Sequence, residues 1–157
     1  MKIKLIAVGK TDSSAIEGLY NEYIKRLSRM ADFSLEIIPD VKNAKNLSQE
    51  EQKTREGDAI LSSVNGADVV ILLDEKGREY TSVEFAGYLQ KHMNSGIRTL
   101  CFVIGGPYGF SSAVYNRSNG KISLSRMTFS HQMIRLFFIE QIYRAHTIIA
   151  GLPYHHD

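Results

Sequence analysis

Tryptophan is absent from this chain, cysteine occurs once and proline three times. The single thiol, Cys101, excludes an internal disulfide and any cage of cysteine ligands around a metal. It sits mid-run among Leu100, Phe102 and Val103, where a small buried hydrophobe is the expected role. No apolar run reaches the roughly 18 residues a membrane span needs. The opening, MKIKLIAVGK, has a charged start but only a short apolar stretch and no small-residue cleavage site. It reads as a first strand rather than a signal peptide. A G-x-x-x-x-G-K-[ST] loop, H-E-x-x-H, G-x-S-x-G and a G-x-G-x-x-G after the first strand are all missing. His155 and His156 are adjacent, so in extended chain they point apart and make poor joint ligands. A catalytic metal is not expected, and a cytoplasmic protein is. What remains, 157 residues with 43% hydrophobic and 23% charged content, fits one compact domain, residues 1–157, with a real core.

Charge is small in total but uneven. Residues 1–110 carry 14 Lys and Arg against 15 Asp and Glu. Residues 111–157 carry Arg117, Lys121, Arg126, Arg135 and Arg144 against Glu140 and Asp157 alone. His131, His146, His155 and His156 fall in the same stretch. A basic region attracts phosphate-rich partners, although scattered cations are commonly a solvated face. Arg126 and Arg135 suit phosphates or carboxylates, with surface solvation as the simpler reading of each.

Periodicity divides the chain into alternating strands and helices. Strands are expected at 1–8, 33–38, 69–73, 100–104 and around 122–124. Helices are expected at 13–30, from 48 to about 64, from 81 to about 93, at 111–117 and from about 131 to 150. Ser48 with Glu51 and Thr81 with Glu84 are capping-box pairs that open two of them. Asp74 to Tyr80 reads as a charged turn around Gly77, and Asp74 and Glu75 more simply as solvated turn than as ribose ligands. The pattern predicts an α/β fold with a mainly parallel sheet and flanking helices.

Two strand exits stand out. TLCFVIGGPYG ends an apolar strand in Gly105 and Gly106, where missing side chains let the backbone approach a ligand closely. Ligands of open α/β sheets bind at such carboxyl ends. The strand near Ile122 runs into the hydroxyl-rich Leu124, Ser125, Arg126, Met127, Thr128 and Phe129. Together these loops suit a nucleoside-containing cofactor. The helix that follows is apolar nearly all round, from Met133 to Ile149. Such a helix needs cover on most sides, which a second copy of the chain or a central core position supplies. The tail adds Tyr154, able to stack on a base, and two imidazoles that exchange protons near neutral pH. Frayed and inert ends are the common alternative.

The segments VILLDEKGREYTS, FVIGGPYGF, ISLSRMTFSHQMIR, IEQIYRAHTI and PYHH, in this order, resemble the ribosomal large-subunit pseudouridine N3-methyltransferase family of the SPOUT class. The resemblance spans essentially the whole chain. It implies a homodimer whose C-terminal part is threaded into a trefoil knot, which general chain topology would never suggest. It implies an S-adenosylmethionine pocket contacted by Leu73, Gly105 and Leu124 to Phe129. It also implies methyl transfer to N3 of a pseudouridine in 23S ribosomal RNA on the assembled ribosome. Arg144, in YRA, would stabilise the target's anion; His155 would accept a proton or orient the base, and Tyr154 would stack. The tail departs from many relatives at His156, where a basic residue often stands. A modest basic surface predicts weak, salt-sensitive binding to naked RNA. Two competing readings are a non-catalytic ribosome-binding factor and a nicotinamide-dependent oxidoreductase. The glycine and SLSRMTF elements argue against the first, and the missing first-turn fingerprint against the second.

Overall fold

A computed structural model describes residues 1–156; Asp157, the last residue of the tail, lies outside the described residues. Five parallel strands form one sheet in the order β2-β1-β4-β3-β5. They are β1 (Lys2–Val8), β2 (Asp32–Ile38), β3 (Val69–Glu79), β4 (Thr99–Ile104) and β5 (Gly120–Ser123). The helices between and after them are α1 (Ser14–Leu27), α2 (Gln49–Ser63), α3 (Ser82–Asn94), α4 (Ser112–Arg117) and α5 (His131–Ile149). The expected α/β class and parallel sheet are therefore observed.

Strand chemistry explains the layering. In β1, Ile3, Leu5 and Ala7 join the core under α1, α3 and α5, while Ile6 and Val8 join the core under α2 and α4. A strand buried on both faces reads as a nearly continuous apolar run, as β4 does. Cys101 is buried among Val103, Val70 and Leu72, and burial pushes its thiol pKa up. That matches a packing role rather than a reactive one. Both capping boxes form: Ser48 and Glu51 open α2, and Thr81 and Glu84 open α3, each pair exchanging side-chain and backbone bonds.

One expected element is corrected. Asp74 to Tyr80 is not a turn, because β3 continues through Asp74 to Glu79. Its register against β5 slips between Leu73 and Arg78, so Ile122 faces both Leu73 and Arg78. Gly77 makes the slip possible: a Cβ there would lie 2.5 Å from the carbonyl carbon of Ile122. The bulge turns Asp74 and Glu75 toward the neighbouring strand ends.

Helix α5 packs against α1 and α3 over the sheet. Phe138 anchors it, with its ring 4.9 Å from that of Phe102 and 5.8 Å from that of Phe85. Ile139, Ile142 and Ala145 are fully buried beside it. Its other side remains partly uncovered: Phe137 is 39% exposed and pairs with the half-open Phe129 ring at 5.1 Å.

Candidate active site

The sheet order places β4, β3 and β5 side by side, so three carboxyl ends open into one place. A cleft of about 490 Å³ lies there, within the range of small-molecule sites. Leu73 comes from β3, Gly105 from the exit of β4, and Leu124, Ser125, Met127, Thr128 and Phe129 from the loop after β5. All of these are residues that the family resemblance implies for the pocket. Arg126 is placed differently: its side chain is 94% exposed and lies 4.0 Å from Glu79, outside the cleft wall.

Local chemistry builds each wall. A Cβ on Gly105 would lie 2.9 Å from the Phe110 ring, so this position has room only for hydrogen. Gly106 is hemmed in likewise by the carboxylate of Glu56, whose carbon would be 2.7 Å from an added Cβ. Gly109, at φ +79°, closes the turn by donating its N–H to Gly106 O at 3.2 Å. On the opposite wall Ser123 Oγ donates to Ser125 O at 3.0 Å, and Ser125 Oγ accepts from Met127 N–H at 2.9 Å. These bonds shape the 124–129 loop without any regular element. Asp74 closes one side by accepting a short hydrogen bond from Tyr115 Oη. That bond and burial push the Tyr115 phenol up to about 12, burial being the larger cause. The sequence favours solvated turn over ribose ligand for Asp74, and it does not single out Tyr115.

The start of α5 forms the rear of the cleft through His131 and Ile134. It is locked to the exit of β1 by two side chains. Gln132 donates to Lys10 O at 3.1 Å and accepts from Asp12 N–H at 3.0 Å. Arg135 is 1% exposed, which corrects the expectation of surface solvation or a phosphate partner. Its guanidinium donates to Val8 O at 2.8 Å, Gly9 O at 2.7 Å and Thr11 Oγ1 at 2.8 Å. Burial lowers its pKa, yet three oxygen acceptors hold it as a structural cation.

The residues expected to act on the acceptor gather elsewhere, at the far end of α5. Glu140 Oε1 accepts from Arg144 Nη2 at 2.6 Å and Nε at 3.1 Å, and from Tyr154 Oη at 2.9 Å. The Glu140 carboxylate is the main cause holding the Arg144 pKa above its ordinary value. Burial, with bonds to Tyr23 and Glu140, raises the Tyr154 phenol. Arg144 also lies over the Tyr154 ring at 4.8 Å and donates from Nη1 to His155 Nδ1 at 3.2 Å. The structure thus brings Arg144, Tyr154 and His155 together. Glu140, the residue that organises them, was missed, although its i,i+4 spacing from Arg144 was a readable signal. His156 is exposed on the tail.

Ten residues separate Ile134 from Arg144, a rise of about 15 Å along the helix. Within one chain, the cleft and the Arg144 cluster are therefore distinct places; among the described residues, neither Arg144 nor the tail lines the cleft.

Comparison with known proteins agrees over the full chain. The family model described as "Predicted SPOUT methyltransferase" matches residues 1–155. A protein named ribosomal RNA large subunit methyltransferase H from Flavobacterium johnsoniae is 60% identical over 157 residues, covering 100% of both chains. Proteins of the same name from Parabacteroides distasonis and Phocaeicola vulgatus are 56% and 50% identical, again over 100% of both chains. Among solved structures, a probable methylase family protein from Haemophilus influenzae superposes with a TM-score of 0.57 at 12% identity, covering 99% of this chain and 70% of that one. A probable methyltransferase from Bordetella pertussis gives 0.57 at 11% identity, covering 92% and 95%. These two show the fold alone. The whole-length family match, carried by a chain whose glycine and serine loops meet at adjacent strand ends, makes this protein a member of the SPOUT methyltransferase family.

Proposed function

We propose that this protein transfers a methyl group from S-adenosylmethionine to N3 of a pseudouridine in 23S ribosomal RNA, acting on the assembled ribosome in the cytoplasm. The observation that carries this reading is the cleft itself: of the donor contacts that the family resemblance implies, Leu73, Gly105 and all of 124–129 except Arg126 line one volume. The residues suit such a donor. Leu73, Ile104, Ile122 and Leu124 offer apolar surface, the serines and backbone offer hydrogen bonds, and the glycines allow backbone approach. Bound there, the donor supplies an already activated methyl on its sulfonium.

The chain's task is then positioning and charge stabilisation. An N3 imide must give up its proton, which passes to solvent water, to become a nucleophile. Arg144, kept charged by Glu140, is the group that stabilises the resulting anion. Arginine only donates, so His155 Nδ1 is the acceptor in this contact. That arrangement supports His155 as a group that orients the base rather than as the proton acceptor. Tyr154 is clamped by Glu140, packed on Tyr143 with ring centroids 4.9 Å apart and overlaid by Arg144, so its ring is held fixed beside the guanidinium.

The cleft and this cluster sit about 15 Å apart on one helix. A two-fold dimer built on the half-covered face of α5 brings the tail of one subunit to the cleft of the other, which is the arrangement we favour. The test is tritiated methyl transfer to ribosomes lacking the modification, followed by mapping of the labelled nucleotide. A mixture of a cleft-disabled subunit (Gly105→Phe) and a tail-deleted one (lacking 152–157) is expected to regain activity that neither has alone. No label at a pseudouridine would overturn the reaction, and no rescue would overturn the shared site. A non-catalytic ribosome-binding factor would bind the donor and transfer nothing.

A further inference from the structure

Glu56 occupies an unusual position. It lies on α2, in the charged run EEQKTREGD, yet it is only 4% exposed. Its Oε1 accepts from Gln52 Nε2 at 2.9 Å. Its Oε2 is buried and has no hydrogen-bond partner among the described residues. An unrelieved buried carboxylate oxygen is costly, so its presence calls for a compensating group. The direction in which it faces is informative. The carboxylate fills the volume where a Cβ on Gly106 would stand, and Gly106 lines the cleft. No side chain at Gly106 thickens the barrier between them. Gly57, the next residue, keeps α2 close because its missing side chain lets Ser111 pack against it.

We propose that Glu56 is a positioning residue for charge: through the thin backbone at Gly106 it makes the cleft prefer the cationic methyl donor over its uncharged by-product. The inference rests on the reading of the cleft as the S-adenosylmethionine site and deepens it. A sulfonium across the Gly106 backbone relieves the orphaned carboxylate, whereas the thioether of S-adenosylhomocysteine does not. The rim carries the same sign, since Asp74 and Glu75 outweigh Lys76 among the lining residues. The basic balance of residues 111–157 therefore stops short of the cleft. Loss of positive charge on methyl transfer removes the attraction, so the same carboxylate favours product exit. In poorly screened protein, one nearby unit charge is enough to change relative affinity by about fivefold to tenfold.

Calorimetric titration with S-adenosylmethionine and with S-adenosylhomocysteine tests this on the full chain without any RNA. Glu56→Gln keeps the shape and removes the charge. Its affinity for the methyl donor is expected to fall about fivefold to tenfold, and that for the by-product by less than about twofold. Glu56→Met, of similar length and uncharged, is the second variant and is expected to shift the ratio the same way. Using the ratio cancels any general loosening of the loop, which weakens both ligands alike. Equal loss for the two ligands, or no loss for either, overturns the proposal while leaving the cleft assignment standing. Failure of the unsubstituted protein to bind either ligand overturns the cleft assignment and this inference with it.

Discussion

The two ends of α5 do different work with different materials. At its start, the cleft is built mostly from backbone, and the side chains nearby serve to hold that backbone still. Arg135 and Gln132 grip the carbonyls and amides of β1's exit, and Gly105 and Gly106 leave space. At its other end, side chains themselves are the functional surface: Arg144, Tyr154 and His155 converge on and around Glu140. On the proposed function, a donor common to many enzymes would be met by generic peptide groups, and the acceptor by specific side chains. The first region should fail by losing shape and the second by losing chemistry.

The largest effect should come from the structural cation. Arg135→Ala removes the guanidinium donor from Val8 O and Gly9 O in a buried setting and leaves Thr11 Oγ1 with Tyr20 Oη, at a cost of about 3–5 kcal/mol in urea unfolding. A loss below about 1 kcal/mol would show that the clamp is ornamental. Next, Arg144→Ala should lower the rate of methyl transfer about 100-fold or more, while the affinity for S-adenosylmethionine alone changes less than about twofold. A matching loss of donor affinity would erase the division between the two ends. Gly106→Ala should do the reverse, weakening donor affinity by about tenfold, because the new methyl meets the Glu56 carboxylate.

The smallest effect concerns pH. Burial lowers the pKa of His146, whose Nδ1–H donates to Ile142 O at 2.8 Å. Below an ordinary imidazole pKa of about 6.5, the unfolded chain takes up this proton before the folded one. The stabilisation is therefore present above that pH and lost as pH falls. Urea midpoints at pH 7.5 and 5.5 should differ more in the natural protein than in His146→Gln. His92, also lowered by burial, adds a drift of the same sign that remains in the variant.

How much of this was readable beforehand follows from where the signals lie. Strands β1, β2 and β4, helices α2 and α3 and the two capping boxes carry local patterns, and the structure bears them out. The glycine and serine loops were identifiable because strand-to-loop transitions are abrupt in sequence. The continuation of β3 past Asp74 was not, since DEKGRE has neither alternation nor apolar content. What holds it in the sheet is a backbone approach at Gly77, a property of two strands rather than one. Glu56 and Arg135 escaped for a related reason. Charged residues on helices are normally solvated, and only the tertiary arrangement shows what surrounds these two. The gathering of Arg144, Tyr154 and His155 was expected from the family resemblance, and the carboxylate that gathers them was hidden in plain helical spacing.

The Arg135 clamp has a bearing on how the molecule is made. It joins Thr11 to a residue 124 positions later, so the rear wall of the cleft is assembled from segments far apart in the sequence. Contacts so distant in sequence are slow to form, because a long loop must close before they are rewarded. A chain without α5 would therefore lack the rear wall altogether, and the cleft depends on closing one of the longest loops in the fold.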